Sequence, residues 1–187
     1  MDPDTRKLVP LVPTVGIDQV FKSEAPRSAH RAVVFLHGFG GSPVSTWNDF
    51  MGESREASWW ADADMYFVGY HSLRREVAAM ASYLRTWLAS LPGLPGAEGW
   101  EPGNYDELVL VGHSLGGVIV RTMLLDEYRA GPGRAGSLLF TSGLATRARL
   151  FSPATGGFEP TGPLGVIQAT GVWNTVQAIL CGSPESA

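Results

Sequence analysis

At 187 residues and 20.0 kDa the chain has the length of one domain, 1–187, able to bury a core of useful size. Hydrophobic residues make up 44% and charged ones 17%, which excludes a disordered chain. The net charge of −4 comes with no basic run or stripe, so no nucleic-acid partner is expected, and the single Cys181 excludes an internal disulfide and a thiolate metal cluster.

Taken in chain order, the start Met1-Asp2-Pro3-Asp4 is acidic and no apolar h-region follows it, so it does not read as a secretory signal. No apolar stretch reaches the length of a transmembrane segment, and a cytoplasmic location is expected. Val12 to Phe21 has the pattern of an early strand. Arg31 to Leu36 is a short continuous apolar run, as in a strand buried on both faces of a parallel sheet. His37-Gly38-Phe39-Gly40-Gly41 follows at once. Ser42 then offers an N-cap, with Pro43 at the first helical position and Trp47, Phe50 and Met51 on one helical face. Met65 to Tyr70 reads as the next buried strand. From Leu73 onward, Val77, Met80, Leu84, Trp87, Leu88 and Leu91 mark an amphipathic helix whose wet side carries Arg74, Arg75, Glu76 and Arg85. Pro92 to Asn104 is a Pro/Gly-rich connection.

Leu108 to Val111 delivers the chain to Gly112-His113-Ser114-Leu115-Gly116, and Val118 to Leu125 departs at helical spacing until Gly131-Pro132-Gly133 breaks it. Leu138 to Ser142 fits a strand and a continuing helix equally. Arg149 to Ser152 reads as one more short strand. Val172, Trp173, Val176, Ile179 and Leu180 make the face of a last helix, stopped near Gly182 and Pro184. Strands alternating with helices imply right-handed crossovers and a parallel sheet with helices on both faces. Function in such a sheet belongs at the carboxyl ends of the strands. His37 to Gly41, Tyr70 to Ser72 and the turn at Ser114 should share that edge.

Strand, sharp turn and helix with a serine at the apex is the pattern of a nucleophile elbow. Gly112 and Gly116 let the backbone pass close to its neighbours, so Ser114 can hold a strained conformation with its hydroxyl exposed. The plainer reading is a structural glycine turn. With these two motifs, roughly Arg31 to Gly157 resembles the α/β-hydrolase family, in particular its lipase- and esterase-like members with a His-Gly oxyanion loop. Tyr70-His71-Ser72 and Phe151-Ser152-Pro153-Ala154 are softer matches. The resemblance implies that Ser114 attacks the carbonyl of a small-molecule carboxylic ester to form an acyl-serine. It assigns the developing oxyanion to the backbone N–H groups of Phe39 and Leu115, supported by His37, Gly38, Gly40, Gly112 and Gly116. No cofactor is implied.

One element of that pattern is missing. A serine hydroxyl needs a base and the base an orienting acid, and the family's order along the chain is serine, acid, histidine. The four histidines are His30, His37, His71 and His113, and none follows Ser114. The acids after the serine are Asp126, Glu127, Glu159 and Glu185. Three explanations compete. The domain is incomplete, lacking the last strands with acid and histidine, and this chain is then inactive or nearly so. Alternatively His71 is a relocated base, although the family's strand order separates its strand from the serine's by another. Or the protein is a non-catalytic member that keeps the pocket for a ligand or partner protein. His37 is better suited to holding its loop, His113 to pointing away from Ser114, and His30 to the opposite end of the sheet. Trp59-Trp60 with Asp62 and Asp64 fits either an aromatic lip over an acyl pocket or packing before a strand. No metal site is expected, since those acids have no nearby histidine or cysteine. Cys181 reads as a buried small hydrophobe and Arg74-Arg75 as a solvated face. No phosphate-binding glycine fingerprint opens a helix, and oligomeric state is not legible.

Overall fold

The run Arg31–Leu36 forms strand β3, and five of its six residues are buried, as its unbroken apolar character requires. The computed structural model to which it belongs describes residues 6–48, 61–99, 101 and 104–153. β3 lies between β4 (Ala63–Gly69) and β5 (Glu107–His113) and is parallel to both, with Val33 opposite Met65 on one side and Val109 on the other. β6 (Ala145–Phe151) extends the parallel set beyond β5, pairing Phe151 with His113. Two antiparallel strands, β1 (Leu8–Leu11) and β2 (Gln19–Ser23), complete the other side, giving the order β1-β2-β4-β3-β5-β6.

Side chains alternate across this sheet. Ala32, Val34, Leu36, Tyr66, Val68, Leu108 and Leu110 face helices α1 (Val77–Ser90) and α2 (Leu115–Ala130), which pack on each other and supply Met80, Leu84, Leu88, Ile119 and Met123 to the same core. Val33, Phe35, Met65, Phe67 and Val111 face the other way, with Trp47 packed among them. Among the described residues, both helices therefore cover one face, and the short 3-10 turn Ser45–Trp47 contributes to covering the second.

Several expectations change. Of the strand expected over Val12 to Phe21 only Gln19 to Phe21 forms, as the start of β2; Pro13 lacks an N–H and Gly16 takes φ +82 in the turn joining β1 to β2. Ser42 caps no α-helix. Its N–H donates to the Thr46 hydroxyl oxygen at 3.2 Å, and the segment tightens into the 3-10 turn. Phe50, Met51, Trp59 and Trp60 lie outside the described residues, as do the helix expected over Val172 to Leu180, Cys181, Glu159 and Glu185. α1 begins at Val77, since the Arg74 N–H closes a turn onto the His71 carbonyl and leaves Leu73 exposed. Leu138 to Ser142 is neither strand nor helix: the Ser137 hydroxyl accepts the N–H groups of Leu139 and Phe140 and pins a turn. β6 starts at Ala145, four residues earlier than its apolar end suggested.

The largest correction is Arg85, expected on the wet side of α1 but buried. Its Nε–H donates to Oε1 of the fully buried Glu127 on α2, and its Nη2 donates to the Gly136 carbonyl at 3.1 Å. The other carboxylate oxygen of Glu127 accepts the Ser137 hydroxyl at 2.9 Å and the Leu138 N–H at 3.0 Å. Arg134 approaches Oε1 at 3.2 Å. Every lone pair of this buried charge thus has a donor, the condition under which such a group is tolerated. Among the described residues no helix is long and apolar enough to cross a membrane.

Candidate active site

β5 stays in register with β6 through His113, and α2 begins at Leu115, so one residue must turn the chain from strand to helix. That residue is Ser114, at φ 51 and ψ −117. A non-glycine residue there is strained by about 1–3 kcal/mol and persists only where its surroundings hold it. Three bonds do so. The Ser114 N–H donates to the Phe151 carbonyl at 2.9 Å, and the Ser114 carbonyl accepts the N–H groups of Gly117 at 3.0 Å and Val118 at 3.4 Å. Ser114 is half-buried and stands at the N-terminus of the sixteen-residue α2, where first-turn N–H groups carry partial positive charge.

The flanking glycines are needed for close approach. A Cβ on Gly116 would lie 2.6 Å from the His37 carbonyl oxygen and closer still to that of Leu36, so the first turn of α2 rests directly on the end of β3. A Cβ on Gly38 would meet the Ser114 Cβ at 2.9 Å and His113 Nδ1 at 3.1 Å, so the loop after β3 presses on the serine turn. Gly40 is a glycine for a different reason. A Cβ there would meet nothing within 4 Å, and what the position requires is φ +66.

The loop is tied down from behind. His37 is buried and stacked on Tyr70, with ring centroids 4.5 Å apart. Its Nδ1–H donates to the Gly38 carbonyl at 2.7 Å, while Nε2 accepts the Tyr70 N–H at 3.4 Å, a pattern that uses the neutral ring. Burial holds its pKa below the ordinary value, against a smaller opposing effect of the Gly38 carbonyl. The Tyr70 hydroxyl donates to the His37 carbonyl at 2.7 Å, and burial pushes that phenol upward. The buried Ser72 hydroxyl accepts the Gly40 N–H at 2.9 Å. Sequence reasoning did not assign these roles to Tyr70 and Ser72; their place at the end of β4 was the signal.

The structure therefore gathers Gly38, Gly112, His113, Ser114 and Gly116 at one edge, with His37 behind the loop. The side chains of Phe39 and Leu115 turn into the helix-side core. His71 is exposed, with its N–H on Asp18 Oδ2 at 2.7 Å, and β3 lies between its strand and β5. His30 is at the opposite end, its carbonyl accepting the Asp106 N–H. His113 turns to the face carrying Trp47 and meets that ring edge-on at 6.4 Å. Among the described residues no histidine hydrogen-bonds the Ser114 hydroxyl, and no group of three or more His, Cys, Asp or Glu could hold a metal ion.

Strand order, the glycine loop after β3 and the strained serine between β5 and α2 define an α/β-hydrolase-like fold. The chain is similar to a crystal structure of a putative hydrolase from Agrobacterium vitis, with a TM-score of 0.45 and 12% identity over 80% of this chain; it spans 52% of that protein. It is also similar to a dienelactone hydrolase from Anabaena variabilis, with a TM-score of 0.45 and 16% identity over 91% of this chain and 97% of the other. No family model and no curated protein matches it.

Proposed function

We propose that the protein is a serine hydrolase of carboxylic esters with Ser114 as nucleophile. The observation that carries this reading is the conformation of Ser114, a strained non-glycine residue at a helix N-terminus with the loop at Gly38 pressed against it. Strain of this kind is retained where geometry at the site depends on it. In the reaction, Ser114 Oγ bonds to the acyl carbon, the ester C–O bond breaks, and the alcohol leaves with the proton that Oγ gives up. Water then hydrolyses the acyl-serine. The N–H groups of Leu115 and Phe39 are the proposed oxyanion donors, each worth a few kcal/mol of barrier in sites of this type. The test is covalent labelling with a fluorophosphonate probe. Because no histidine among the described residues bonds the Ser114 hydroxyl, we expect slow labelling of the native chain at Ser114 and none in Ser114→Ala, with slow p-nitrophenyl acetate turnover following the same pattern.

A second reading is a non-catalytic binding protein. It is favoured by the engagement of His37 in its loop and by the distance of His71 from β5 across β3. Ligand binding with no labelling of Ser114 would select it.

A further inference from the structure

A cavity of about 280 Å³ opens on the sheet face away from the helices, lined by Thr46, Trp47, His113 and Phe151. Two of these walls belong to the serine turn. His113 immediately precedes Ser114, and the Phe151 carbonyl accepts the Ser114 N–H. Thr46 belongs to the wall of the glycine loop, its hydroxyl 3.0 Å from where a Cβ of Gly41 would stand. Gly38 is pinched between Ser114 Cβ and His113 Nδ1, at 2.9 and 3.1 Å from the position of its missing Cβ. Cavity, loop and serine are thus built from shared residues.

Among the described residues the lining is an indole, a phenyl ring, an imidazole and a threonine. Trp47 is a fixed wall, 5% exposed, whereas Phe151 is 48% exposed and forms the open side. A neighbouring cavity of about 400 Å³ shares Phe151 and adds Val33, Val109 and Val111 together with the charged Arg31, Glu107, Arg147 and Arg149. The smaller cavity has no arginine or carboxylate among its described lining residues, whereas the larger one carries four such groups beside its valines. Flat rings gain from offset and edge-on contacts with aromatic walls. The volume falls just below the roughly 300–1,000 Å³ typical of sites for drug-sized ligands and is large enough for a single ring.

Resting on the serine-hydrolase reading, we propose that this cavity takes the uncharged aryl group of the ester in preference to a long acyl chain. The ring could belong to the acid or to the alcohol, and the test separates the two. Binding of phenylacetamide, for the acid side, and phenol, for the alcohol side, is measured by saturation-transfer NMR on the full chain, with octanamide as the long-chain control. We expect one or both aromatic probes to bind at least about tenfold more tightly than octanamide. Thr46→Trp fills the cavity, and the milder Phe151→Leu removes one aromatic wall. Each should lower aromatic affinity several-fold, with the thermal transition recorded as a control for folding. Failure of both aromatic probes to bind, equal binding of octanamide, or aromatic affinity unchanged in both variants overturns the proposal. Absence of fluorophosphonate labelling alongside selective aromatic binding overturns only the hydrolytic reading.

Discussion

Ser114 is held at φ 51 by hydrogen bonds on both sides and by glycines whose missing side chains let neighbouring backbone in. The contacts sort those glycines by mechanism. Gly116→Ala forces a Cβ onto the Leu36 and His37 carbonyl oxygens, which are backbone and cannot swing aside, and should cost at least about 1–3 kcal/mol. Gly40→Ala meets open space and should cost only the left-handed backbone penalty, roughly 1–2 kcal/mol. Urea unfolding of both variants checks the order, the midpoint falling further for Gly116→Ala. His37 supplies a pH dependence of defined sign. Because burial lowers its folded pKa below the unfolded value of 6.5, its stabilising contribution is present above that value and is lost as pH falls through the folded pKa. Native-chain stability should therefore decline below about pH 6.5, and His37→Gln should flatten that part of the profile. The sequence showed His37 as a loop-holding residue. It did not show Tyr70, because a stacking partner 33 residues away leaves no local trace.

At the level of elements, the pairing of α1 with α2 turns on Arg85 and Glu127. Burial by itself would raise the Glu127 pKa, but bonds from Arg85, the Leu138 N–H and Ser137 outweigh it and hold the group below its ordinary value. Its stabilising contribution is therefore present above about pH 4.5 and is lost as pH falls through the depressed folded value. Glu127→Ala strands a buried guanidinium and should cost about 3–5 kcal/mol, whereas Arg85→Met combined with Glu127→Leu should recover part of that loss, the Leu138 N–H and Ser137 hydroxyl still lacking their acceptor. A double-mutant cycle by urea unfolding measures both; equal losses in the single and double variants would contradict the buried-pair account. The apolar spacing of α1 was legible, since it depends only on residues three and four apart. The placement of Arg85 on its wet side failed because a helical pattern carries no record of an acid on another helix 42 residues later.

At the scale of the molecule, the sheet order sets which groups reach the serine. β4 is two strands from β5, about 10 Å at ordinary strand spacing, and His71 lies just past the end of β4 with its N–H on Asp18. His71→Ala should leave the rate of fluorophosphonate labelling at Ser114 unchanged. A tenfold fall would instead make His71 the base. Tyr70 and Ser72, at the same strand end, act through the loop and bring β4 to bear on the site indirectly.

The sequence by itself determined the buried parallel strands β3, β4 and β5, the glycine loop and the serine turn. Apolar continuity and the steric freedom of glycine act between residues close in the chain, so they can be read there. Only the tertiary structure decided that both described helices share one face, that Arg85 is buried against Glu127, and that Thr46, Trp47, His113 and Phe151 line one open cavity. These depend on sheet order and on contacts spanning tens to over a hundred residues. Their free energies come from desolvation and close packing that exist only once the chain has folded.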